Sequence, residues 1–64
     1  MGWAESDREK VAIAKVAVSR TRIEAYKLIQ QLDAISHAEK GPLLKKMGIS
    51  LYDFLNEIDT QLQR

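Results

Sequence analysis

The stretch from Ser6 to about Glu39 repeats small and apolar residues in alternating steps of three and four, and this pattern constrains the chain more than any other. Val11, Ala14, Val18, Thr21, Ala25, Leu28, Leu32 and Ile35 fall in heptad register, with only Thr21 off type. No Gly or Pro interrupts them. The register predicts a single helix over residues 6–39, roughly 50 Å long. A helix of that length needs something to lie against, because most helices in small domains are nearer a dozen residues.

Ser6-Asp7-Arg8-Glu9 reads as a capping box that starts this helix: the Ser6 hydroxyl accepts from the backbone at Glu9 and the Glu9 carboxylate reaches back. Trp3 precedes it, either loose or folded onto the first apolar turn. Gly41-Pro42 reads as the stop, with glycine as a left-handed C-terminal residue and proline unable to continue the ladder. Pro42 then opens a short helix over residues 42–47, which Gly48 closes. Ser50 caps a third helix over 51–63, in which Leu51, Leu55, Ile58 and Leu62 recur at helical spacing and Phe54 widens the stripe.

The expected fold is all-α, a single small domain over residues 1–64: a long N-terminal helix against a short helix and a C-terminal helix, with the helical hairpin completed as a dimeric bundle. The expected core contains Val18, Ala25, Leu28, Leu32, Ile35, Leu44, Met47, Leu51, Phe54, Leu55, Ile58 and Leu62. A 64-residue chain has little core to spare, and with no cysteine and one histidine it has neither a disulfide nor a His/Cys zinc site as reinforcement. Association is the reinforcement left.

Length says where that association should occur. A C-terminal helix of about 13 residues spans roughly 20 Å and can return along only the C-terminal half of the long helix. The other half is apolar on several sides. Val11, Ile13, Val16 and Ile23, with Lys15 and Arg22 beside them, are therefore the expected protein interface, covered by a second copy or by a partner protein's helix.

Other functions find less support. A nucleophile needs a base within reach and a group to orient that base. The lone His37 sits beside Ser36, but adjacent helical residues diverge, and Glu57 and Asp59 fall on different faces. The chain reads as no enzyme, with no cofactor and no metal site. Ten Lys and Arg against nine Asp and Glu give a net charge of +1, which argues against nucleic acid as the main partner. The longest apolar run, Val11 to Val18 around Lys15, is too short for a bilayer, so no membrane span or signal peptide is expected and the cytoplasm is the default compartment. Two rows of cations, Arg8, Lys15 and Arg22 with Tyr26 below them, and Arg20 with Lys27, are expected to pair with acids such as Glu24, Asp53, Glu57 and Asp59.

One local motif points elsewhere. Leu43-Leu44-Lys45-Lys46-Met47-Gly48-Ile49-Ser50, with Phe54 beyond, resembles the helix-turn-helix corner of phage-repressor-like DNA-binding domains, where a short helix ends at glycine and a serine caps the recognition helix. The resemblance covers about 16 residues and departs at Glu57, where the next apolar position would fall. It implies a small dimeric DNA-binding regulator as the alternative function, with Ser50, Tyr52 and Asn56 as the candidate DNA contacts. Asp53, Glu57 and Asp59 on the same helix oppose phosphates.

Overall fold

The structure is a computed structural model and describes residues 2–64. Two helices run antiparallel, α1 (Glu5–Asp33) and α2 (Lys40–Gln63), and there is no strand among the described residues. The all-α class is as the sequence predicts; the three-helix order is not.

The largest difference lies at the turn. α1 ends at Asp33, closed by tight bonds from the Ala34 N–H to the Gln31 carbonyl (3.2 Å) and from the Ile35 N–H to the Leu32 carbonyl (3.1 Å). Gly41-Pro42 does not stop α1 but belongs to the first turn of α2, where the missing proline N–H would have no intrahelical partner anyway. His37 sets that start: its Nδ1 accepts from the backbone N–H groups of Glu39 (3.2 Å) and Lys40 (3.0 Å). The N-cap itself, Glu39, has no side-chain cap, so the imidazole two residues before it serves the helix entry instead.

Gly48 lies inside a continuous helix, and no described glycine has a positive φ. The helix-turn-helix corner that Gly48 and Ser50 suggested is therefore absent, and residues 42–47 and 51–63 are parts of one helix. Gly48 is buried instead because α1 crosses there. A Cβ on it would meet Leu32 Cδ1 at 3.0 Å and Ile29 Cγ1 at 3.3 Å. Gly41 is tighter still, since a Cβ would lie 2.8 Å from the Ile35 carbonyl oxygen.

The capping box also does not form. α1 starts at Glu5 with Ala4 as its N-cap and no side-chain cap, the Ala4 carbonyl accepting from Asp7 (2.9 Å) and Arg8 (3.1 Å). The entry is held from outside the helix: Trp3 folds back and its indole Nε1 donates to the Leu62 carbonyl at 3.1 Å, closing the hairpin at its open end.

α1 meets α2 along Val11, Ala14, Val18, Arg22, Ala25, Ile29 and Leu32, each buried or half-buried. This seam departs from the heptad register, with Arg22 and Ile29 in place of Thr21 and Leu28. A straight helix drifts about 20° per heptad, so a seven-residue pattern leaves the contact line unless the helices supercoil. On α2 the matching line is Gly41, Leu44, Gly48, Tyr52, Leu55, Asp59 and Leu62.

Among the described residues, only Ala25 and Leu55 form a buried apolar core. Of the expected core, Val18, Leu32, Leu44 and Leu62 are half-buried, whereas Leu28, Ile35, Met47, Leu51, Phe54 and Ile58 are exposed. The chain is correspondingly extended: its radius of gyration is 15.2 Å, against about 11 Å for a compact domain of this length.

Candidate interaction surface

The cross-hairpin contacts fix how the helices are rotated. Arg22 donates from Nη1 to Asp59 Oδ2 at 3.3 Å, Lys45 Nζ lies 2.7 Å from Asp33 Oδ1, and the rings of Tyr26 and Tyr52 are 6.5 Å apart at 59°. All three pairs lie on one side of the seam and give the hairpin a polar side. Arg22 is half-buried there, with its Nε shielded from solvent and lacking an acceptor.

At 3.6 residues per turn, the opposite side of the seam carries Ala17, Thr21 and Leu28 from α1, with half-buried Ala14 at the seam's edge, and Leu43, Met47, Leu51, Phe54 and Ile58 from α2. Because the helices are antiparallel, both rows open on the same face of the hairpin. Ile35, in the connecting loop, is also exposed, at 43%. Phe54 is the most exposed large apolar residue among those described, at 70%, followed along this face by Met47 at 59% and Leu43 at 56%. The Thr21 hydroxyl donates to the Ala17 carbonyl at 2.8 Å, so its hydrogen-bonding need is met within the helix. Single exposed apolar residues are ordinary, but here several gather on one face of a small chain.

The residues expected to form an interface on the N-terminal half of α1 are divided by the structure. Ile13 (64%), Val16 (52%) and Ile23 (58%) are exposed on the outer side of α1. Val11 and Lys15 are half-buried, and Arg22 is taken up by Asp59. The premise that α2 covers only the C-terminal half of α1 is corrected, because α2 has 24 residues and spans roughly 36 Å. Projected from the Tyr26–Tyr52 and Lys45–Asp33 pairs, it ends about level with Lys15.

The expected pairing of cations with acids is present in part: Arg22 with Asp59, and Lys27 with Glu24 at 3.5 Å on the exposed flank. Asp33–Lys45 was not foreseen, since Asp33 sat in the polar part of a helix expected to continue past it. Ile29 was missed for a related reason: it lies one residue outside the heptad row, yet it faces Gly48.

Ser50, Tyr52 and Asn56 do not form one exposed row. The Ser50 hydroxyl donates to the Lys46 carbonyl at 3.0 Å, while Tyr52 and Asn56 are half-buried toward the polar side. No helix among the described residues is long and apolar enough to cross a membrane, and no three His, Cys, Asp or Glu side chains among them cluster as a metal site. Comparison of the chain with protein-family models, with curated proteins and with solved structures finds no match.

Proposed function

We propose that the chain is a small non-enzymatic helical module for protein–protein association, a regulator, adaptor or docking unit. Its working surface is the open apolar face centred on Leu51 and Phe54. One observation carries this reading: six residues patterned for a core, Leu28, Ile35, Met47, Leu51, Phe54 and Ile58, are exposed in the isolated hairpin. Large apolar side chains gathered on one face contribute stability only when another surface removes them from water. The outer patch of Ile13, Val16 and Ile23 is a smaller secondary contact on the same reading.

Site-specific photo-crosslinking in cells tests it. A crosslinking residue placed at position 54 is expected to form protein adducts, and one at Asp53, exposed on the other side of α2, is expected to form few. Equal yields from the two positions, or none from position 54, count against the proposal. A third probe at Ile23 reports on the secondary patch.

A further inference from the structure

On the reading that the open face is where the chain associates, we infer that its occupant is a second copy of this chain. The two hairpins lie face to face as a four-helix bundle, with α2 of each copy seated on α1 of the other. Area supports it. The chain exposes 5271 Å², whereas a compact monomer of its mass exposes about 4,200 Å². The surplus, on the order of 1,000 Å², is comparable to the roughly 800 Å² that each partner loses in a standard interface.

Residue size gives the arrangement. The face has a raised row on α2, Met47, Leu51, Phe54 and Ile58, and a low row of Ala14, Ala17 and Thr21 on the N-terminal part of α1. The two rows are offset along the hairpin and overlap at Thr21, where the bulkier α2 of a second copy can fill what α1 leaves low, as a twofold contact requires. The Arg22–Asp59 and Tyr26–Tyr52 pairs place Ile58 about level with Thr21 and Phe54 about level with Ala25. A twofold axis parallel to the helices preserves those levels, so Ile58 of one copy meets Thr21 of the other while Leu51 meets Leu28. An axis across the helices would stack bulk on bulk over α2 and leave a gap over α1, which close packing disfavours. Charge does not oppose the contact. Lys10 and Lys40 stand at the two ends of the face and Glu24 borders it, so no unpaired charge is sealed at the centre.

The purified full chain, sized by light scattering across a range of micromolar concentrations, is expected at twice the 7.3 kDa of one chain. Phe54→Asp is expected at the single mass with its hairpin helicity retained. The chain has no cysteine, so orientation can be read from single Thr21→Cys and Ile58→Cys variants. Mixed and oxidised, they should yield the 21–58 crosslinked pair, with several-fold less self-linked product from either alone. A wild-type chain that keeps the single mass throughout overturns the second copy as occupant. If position 54 still forms adducts in cells, the association reading survives with a different partner; if it does not, both fall. Self-linking of Ile58→Cys as efficient as the mixed reaction overturns the parallel axis.

Discussion

Gly48 and Gly41 allow the same substitution to be tried at two crossings with different expected outcomes. In Gly48→Ala, a helix-interior glycine becomes the best helix former, a gain of about 1 kcal/mol. Against it, the new methyl would lie 3.0 Å from Leu32 Cδ1 and 3.3 Å from Ile29 Cγ1. Leu32 Cδ1 is the far end of a side chain that can rotate away, whereas Ile29 Cγ1 is held close to its backbone. Moving them by a few tenths of an ångström costs about as much as the propensity gain, so the net change should stay within about 0.5 kcal/mol of zero. Gly48→Leu has no such room and should lose at least about 2 kcal/mol by forcing the helices apart. Gly41→Ala meets a backbone atom, the Ile35 carbonyl oxygen at 2.8 Å. The loop must move as a unit, with an expected loss of about 1–3 kcal/mol. Urea unfolding followed by far-ultraviolet circular dichroism measures all three, at one fixed chain concentration because association would shift the midpoint. The reasoning is refuted if Gly48→Ala destabilises as much as Gly41→Ala, since the two differ in whether a side chain or the backbone must yield.

Three further outcomes follow from single contacts. His37→Ala removes the acceptor of two N–H groups at the start of α2 and should cost about 1 kcal/mol in urea unfolding, with His37→Asp recovering part of it. Arg22 and Asp59 are both partly solvated, so a double-mutant cycle with Arg22→Met and Asp59→Leu should give a coupling of at most about 1 kcal/mol; a coupling above about 2 kcal/mol would mean that the pair is sealed from water. Trp3→Phe keeps the ring but removes the donor to the Leu62 carbonyl. It should cost no more than about 1 kcal/mol, and hydrogen exchange should speed up in the last turn of α2 more than at Leu44.

Helical class, the polarity of the chain and the identity of the apolar positions were legible in the sequence, because periodicity near 3.6 survives without knowledge of the partner element. The turn was not. Gly41-Pro42 reads as a stop in isolation, but a proline in a first turn is equally compatible with a start, and the His37 side chain that decides between them has no sequence signature as a cap. Gly48 misled for the same reason: a glycine that ends a helix and one that admits a crossing helix look alike until Ile29 and Leu32 are placed beside it. The outward position of Phe54 was hidden because a one-sided pattern records that a residue is patterned for burial, not whether its own chain or another buries it. The residues chosen for an N-terminal interface rested on a short last helix, and the longer α2 moved the larger unpaired surface toward Leu51 and Phe54.

The bond from Trp3 to Leu62 joins residues 59 apart in sequence, so both ends of the chain emerge at one pole of a body 50 Å long. Tags, surface linkers or reporters attached at either terminus crowd that pole and leave the His37 turn clear at the other. A split reporter with one half on each terminus would reassemble within a single chain, so its signal would measure closure of the hairpin rather than encounter between molecules.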